Sequence, residues 1–395
     1  MAISGASSFE RGGPFIKLDI SILWDGQVDN SRLIIFVDSL PFSYVDRMPF
    51  LSKADMVCEI TPGVGYSINL HPELFGGYRP DDVGFFCEWT YKPAESDFLR
   101  ISPILVALHA LSLHPVGDRI VRKLLKRLIG PTFQIPLRYL DRFRRCGIGV
   151  FAPDFPLPTI FSRTNDLTLV LPYEGIKEKR DERAYFEART RIQTHLKLFV
   201  AFPDLDSIGH RYRVGSPKYD DRVQELDSWI QALTETFLYR RPDGRVVVLS
   251  DHGMANVNRG YQLTIESDIG PARREAYTFF LDSTILRIWI HDEDLRDPMT
   301  LYLHCLGVGA ILDSETRSRY GLRKKEWGDI IYILDEGIVF HPSFLSSGVP
   351  KAMHGYHPEL ASQKAVLALI GAPFSHISAP HTAVEVAALL SDLLL

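Results

Sequence analysis

Short apolar stretches of strand length recur along the chain at Leu33 to Val37, Leu196 to Phe202, Val246 to Leu249 and Ala365 to Ile370, each bounded by polar or turn-forming residues. Stretches that are apolar on both faces suit buried strands of a parallel sheet, which is covered by helices on either side. Between the second and third lies Tyr219 to Arg240, where Val223, Leu226, Trp229, Ile230, Leu233 and Phe237 recur at helical spacing. Strand, helix and strand in that order make a βαβ unit. The last twenty or so residues, with Val384, Val386, Ala387, Leu389, Leu390 and Leu393, predict a closing helix packed on the sheet.

Two regions depart from this pattern. From about residue 100 to 190 the chain carries an apolar helix (Ile104 to Leu113), a basic amphipathic one (Arg119 to Ile129) and a Pro-rich stretch from Pro153 to Pro158. They read as an insertion capping the core. The basic helix has two readings: a solvated face beside an apolar stripe, or recognition of an acidic or lipid-like substrate. A second segment, about 265 to 345, holds the strand-like pieces Leu286 to His291 and Ile330 to Leu334 and suggests a smaller lobe. The expected division is an N-terminal extension (1–31), a core carrying Asp38 and Thr61 (32–100), the cap (101–190), a second core part (191–264), the lobe (265–345) and a C-terminal core part (346–395).

Composition narrows the chemistry without naming it. A net charge of −5 and a pI near 6.2 give no general reason to bind a nucleic acid polymer, so any dealing with phosphate must come from a local site. The four cysteines (Cys58, Cys87, Cys146, Cys305) are scattered, which suggests neither a disulfide framework nor a cysteine metal site and favours a reducing compartment. With no secretory leader pattern and no run near the roughly 18–20 apolar residues of a membrane span, the expectation is a cytoplasmic protein.

The informative residues stand where strands end. The strand at Leu33 runs into Asp38, the one at Leu196 into Asp206 and His210, and the one at Val246 into Asp251 and His252. In open α/β sheets ligands bind outside the carboxyl ends of the strands. Any one of these residues alone reads more simply as a cap or turn former. Five together are better explained as ligands, and a mixture of carboxylate oxygen and imidazole nitrogen suits zinc or another first-row divalent ion.

These motifs resemble the alkaline phosphatase superfamily, in particular its type I phosphodiesterase and nucleotide pyrophosphatase branch. The matching pieces are Phe36 to Leu40, Thr61 with Tyr66, Ser67 and Ile68 following, Pro80 to Gly84, Pro203 to His210, Ser250 to Met254, and His354 to Tyr356. The resemblance implies an α/β fold whose mostly parallel central sheet is flanked by helices and topped by a cap insertion. It further implies that Asp206, His210 and His354 hold one divalent ion and Asp38, Asp251 and His252 another, zinc first and manganese as the alternative. Thr61 is then the nucleophile, passing through a phosphothreonine that water hydrolyses. Asp204 could replace Asp206, but the spacing to His210 favours Asp206. His357 could orient His354. Gly63 and Gly65 lack the pattern of a phosphate cradle and more simply let the Thr61 turn come close.

The implied activity is hydrolysis of a small-molecule phosphate diester or pyrophosphate. A phosphomonoesterase or phospho-group transferase is the alternative, less favoured because no arginine or lysine stands out to meet a monoester dianion. An inactive metal-binding relative is disfavoured, since Thr61 and all six ligands are intact. One departure stands out. The position four after the glycine matching Gly84 is typically, in the resembled branch, an asparagine that donates to a phosphoryl oxygen, and here it is Glu88. An ionised carboxylate cannot donate. Glu88 is therefore structural, held protonated by burial, or facing a cationic or hydroxyl-bearing part of the substrate.

Overall fold

The computed structural model describes residues 30–112, 114–129, 134–173, 178–273, 275–346, 348–371 and 377–394. Most of the expected N-terminal extension lies outside the described residues.

The four apolar stretches all enter one six-stranded sheet, in the order Met56–Ile60, Ala365–Ile370, Arg245–Leu249, Arg32–Val37, Lys197–Phe202, Leu167–Val170. Arg32–Val37 sits in the middle, parallel to Lys197–Phe202 on one side and to Arg245–Leu249 on the other. Ala365–Ile370 is the exception to the parallel expectation: it runs antiparallel to both of its neighbours. Periodicity could not reveal this, because a strand buried on both faces reads the same in either direction.

Alternation along the central strand sets the two layers. Leu33, Ile35 and Val37 face a cluster with Val223, Leu226, Ile230, Leu233 and Phe237, while Ile34 and Phe36 face one with Leu74, Phe75, Val386 and Leu390. The first layer is built on the helix Pro217–Arg240, opened by Ser216, whose hydroxyl accepts the Tyr219 N–H, and by Pro217 in the first turn. The second rests on the helices Ser67–Gly76 and Ala383–Leu394. The strand Leu167–Val170 and the helix Arg180–Arg191 fall in the stretch read as a cap, yet the strand closes one edge of this central sheet and the helix packs in the first layer through Ala184 and Ala188.

A separate four-stranded antiparallel sheet joins Tyr277–Leu281, Ile285–Ile290, Ile330–Leu334 and Gly309–Ile311. Its apolar face shares one core with the helices Ser102–Ser112 and Pro115–Ile129, through Leu105, Val121 and Leu125 against residues such as Phe279 and Trp289. No described helix is long and apolar enough to cross a membrane.

Candidate active site

The reversed strand completes the site. Loops after parallel strands and the loop before an antiparallel one emerge at the same sheet edge, so Asp38, Asp251, His252 and His354 meet there. Asp206 and His210 join them from the helix Asp204–Tyr212, where the four-residue spacing puts both on one face. Two groups of mutually close ligand atoms result, each within 4.8 Å: Asp38, Asp251 and His252 in one, Asp206, His252 and His354 in the other. His252 belongs to both. His210 adjoins the second, its Nε2 3.2 Å from Asp206 Oδ1, and His354 Nε2 lies 3.6 Å from the same oxygen. The sequence division into two sets of three is thus recovered on one side, while on the other His252 stands as a common neighbour.

Backbone carbonyls orient two of the imidazoles. His210 Nδ1 donates to Ala352 O and His252 Nδ1 to Gly253 O, each at 2.8 Å, which leaves both Nε2 atoms facing the carboxylates. The rings of His252 and His354 stack at 3.9 Å. Ser39 adopts a left-handed backbone (φ 65°), and its N–H donates to Asp251 Oδ1 at 3.1 Å, so the turn after Asp38 is tied to the neighbouring strand end.

Burial and mutual repulsion mark this cluster electrostatically. Burial first, then the charges of Asp251 and Asp206, push the Asp38 carboxyl well above the usual range. Burial also opposes ionisation of Asp251, but His252 and His71 outweigh it and hold its pKa at about 2. Asp206 is likewise drawn down, against its burial, by His210 and His354. His354 falls well below its ordinary value through burial and the adjacent His252, so it carries a neutral nitrogen suited to a metal. Among the described residues, the buried oxygens Asp38 Oδ1 and Asp206 Oδ1 have no hydrogen-bond partner. Crowded carboxylates, orphaned oxygens and neutral imidazoles together fit divalent cations.

Two hydroxyls bear on the nucleophile expected at Thr61. Thr61 forms a bridge with Thr382 just past the strand Met56–Ile60, and its Oγ1 accepts from Lys364 Nζ at 2.8 Å, with Lys364 also paired to Glu359 at 3.0 Å. A second hydroxyl, Ser67 Oγ, lies 3.1 Å from His252 Nε2 in the ligand cluster. The chain continues past the strand end in a non-helical turn, and the helix Ser67–Gly76 then brings its first residue to His252. The sequence carried a signal for this, since Ser67 opens a helix whose N-terminal N–H groups and dipole favour an anion. One turn on, His71 Nε2 donates to Asp251 Oδ2 at 3.1 Å, a second contact the motifs did not suggest. Phe151 packs against His71 at 5.7 Å and Tyr173 against Phe151 at 5.6 Å, forming an aromatic wall beside it.

The remaining sequence candidates take lesser places. Asp204 is a brace: it accepts from Arg180 Nε at 2.7 Å and caps the N–H of Arg180. His357 Nδ1 accepts the Glu359 N–H at 3.3 Å. Glu88 pairs with Arg145, Oε1 to Nε at 2.7 Å, and Gly147 separates its backbone from Ile68, the neighbour of Ser67.

A model of the type I phosphodiesterase / nucleotide pyrophosphatase family matches residues 152–357. The chain belongs to that family. It is therefore a hydrolase acting on phosphate esters. No curated protein matches it. Among solved structures, mouse ectonucleotide pyrophosphatase/phosphodiesterase 5, as an inactive threonine-to-alanine variant in complex with AMP, is 16% identical with a TM-score of 0.61, over 92% of this chain and 94% of that one. The human protein of the same name is 14% identical, with a TM-score of 0.62 over the same shares. Phosphonoacetate hydrolase from Sinorhizobium meliloti 1021, in complex with phosphonoformate, is 13% identical with a TM-score of 0.63, over 92% and 95%. At these identities the likeness speaks for the fold.

Proposed function

We propose that this family member hydrolyses a small-molecule phosphate diester in two displacements through a phosphoserine on Ser67, at a centre built for two divalent cations. The observation that carries the reading is the place of Ser67 Oγ, 3.1 Å from the imidazole shared by the two ligand groups. Asp38, Asp251 and His252 would hold the cation nearer the nucleophile, and Asp206, His210 and His354 the other. Bound there, two such ions lower the pKa of a hydroxyl and neutralise charge on the phosphoryl oxygens. Zinc suits the donor set best, with manganese the alternative.

In the first displacement Ser67 Oγ bonds to phosphorus as the bond to the leaving alkoxide breaks, and that alkoxide departs with a proton. In the second, water attacks the phosphoserine, the Oγ–P bond breaks, and Ser67 recovers its proton as the phosphate monoester leaves. The N-terminal amides and dipole of the helix Ser67–Gly76 would favour the developing anion. Tyr66 supports both reactive neighbours: its hydroxyl bonds Thr284 Oγ1 at 3.0 Å, Thr284 donates to Gly355 O at 2.7 Å, and its ring meets His354 edge-on at 5.7 Å. The wall of Phe151 and Tyr173 suits an organic group on phosphorus, which favours a diester over a bare monoester. That the mouse relative is described as inactive with threonine changed to alanine supports a hydroxyl nucleophile of this kind.

The test compares Ser67→Ala with Thr61→Ala on an aryl phosphodiester, with metal content measured for each. Ser67→Ala should keep its metals and lose on the order of 10³-fold in kcat. Thr61→Ala should stay within several-fold of the parent. Full activity in Ser67→Ala would refute the phosphoserine route.

A further inference from the structure

We propose that the helical hairpin Ser102–Ser112 and Pro115–Ile129 is a docking surface for an anionic lipid bilayer. The first helix has no Asp, Glu, Lys or Arg in its sequence, SPILVALHALS, and turns only part of itself to the core. Leu105 is buried, whereas Ile104, Val106 and Leu111 are each more than half exposed. The second helix carries an exposed apolar stripe of its own. Val121 and Leu125 enter the core, while Val116, Ile120 and Leu124, four residues apart on one stripe, are exposed by 60%, 63% and 49%.

Six large apolar side chains exposed on two packed helices exceed the scattered apolar residues of an ordinary surface. Something apolar covers them, and charge selects what. The second helix carries five basic residues against one acidic, Asp118, which is paired with Arg122 at 2.8 Å. Arg119, Lys123 and Arg127 are exposed and spaced by four, so they form a ridge directly beside the Val116–Ile120–Leu124 stripe. This lies on a chain whose overall charge is −5. An apolar stripe beside a cationic ridge matches the boundary between acyl chains and anionic headgroups, with the helix lying in the plane of the interface. A second copy of the chain fits less well, because a symmetric pairing through the stripe brings the two cationic ridges together.

The experiment is co-sedimentation of the full chain with vesicles of phosphatidylcholine alone and of phosphatidylcholine mixed equally with phosphatidylglycerol. Binding is expected to the mixed vesicles, falling as salt rises. The triple variant Arg119→Gln/Lys123→Gln/Arg127→Gln should lose on the order of a hundredfold in partitioning. Ile120→Ser/Leu124→Ser should lose binding even at low salt. All these positions are exposed, and an unchanged thermal midpoint shows that the variants remain folded. The readout does not involve turnover, so failure of the phosphodiesterase reading leaves it intact. Absence of binding to the mixed vesicles, or equal binding by parent and variants, overturns the proposal. So does a stable dimer that Ile120→Ser/Leu124→Ser dissociates while the parent ignores vesicles, which would assign the face to a second copy.

Discussion

A serine hydroxyl is a weak nucleophile at neutral pH unless its surroundings lower its pKa or take its proton. Both hydroxyls have such surroundings: Ser67 stands against His252 at the ligand cluster, and Thr61 accepts a hydrogen bond from the Lys364 ammonium, which favours an ionised hydroxyl. Both residues lie in the same short stretch and both carry a hydroxyl, so residue type could not separate them. Glu88 shows a related ambiguity. Its carboxylate is held by Arg145, and its backbone lies beside Gly147, the residue that packs against Ile68. If Glu88 meets a hydroxyl or amine of the substrate, Glu88→Gln should lower kcat/KM about tenfold or more for a sugar- or amine-bearing diester and much less for a plain aryl diester, a loss of one hydrogen bond to a charged group. Equal effects on both would leave it a structural partner of Arg145.

The helix Ser67–Gly76 shows how an element places its first residue. Gly65, at φ 124°, lies just before it, and a Cβ there would come within 2.2 Å of Asn69 Oδ1, the atom that accepts the Tyr66 N–H at 3.0 Å and closes the helix start. Gly65→Ala should therefore destabilise the fold by about 1–3 kcal/mol and misplace Ser67, visible as a lower urea midpoint together with a loss of kcat. Further along, Glu73 is buried beside Gly63 with Oε1 unpartnered, and burial, only partly offset by Arg79, pushes its pKa from the ordinary 4.5 to about 8. A carboxyl whose folded pKa is raised binds its proton more tightly when folded. Its favourable share of stability is full below pH 4.5 and is lost as pH rises towards 8, by at most about 1.4 kcal/mol per unit. Glu73→Gln should remove that slope, so that urea unfolding of variant and parent at pH 5 and pH 8.5 shows the variant gaining relative stability at the higher pH. A constant difference between the two would place the proton elsewhere.

At the scale of the whole molecule, Asp38, Asp206 and Asp251 are delivered by three different strand ends to one buried place, where they repel one another without a cation. Metal that binds the folded chain alone stabilises it by mass action, about 2.7 kcal/mol at a hundred times Kd. Removal by chelator should then lower the thermal midpoint by about 3–5 °C and abolish turnover, with both restored by adding zinc back. An unchanged midpoint and rate after complete metal removal would contradict the cation centre. The sequence by itself determined the strands and the long helix, and it named six candidate ligands that the fold gathers at one sheet edge, because burial periodicity and the habit of parallel sheets to bind at their carboxyl ends are local or topological rules written into composition and spacing. It could not determine the sense of Ala365–Ile370, which is buried on both faces and reads alike in either direction. Nor could it find the Ser67 hydroxyl beside His252, or His71 beside Asp251, since these depend on where a turn leaves the strand and which face of the next helix looks at the site. Those choices were made only by tertiary structure, through distances between residues that no spacing along the chain encodes.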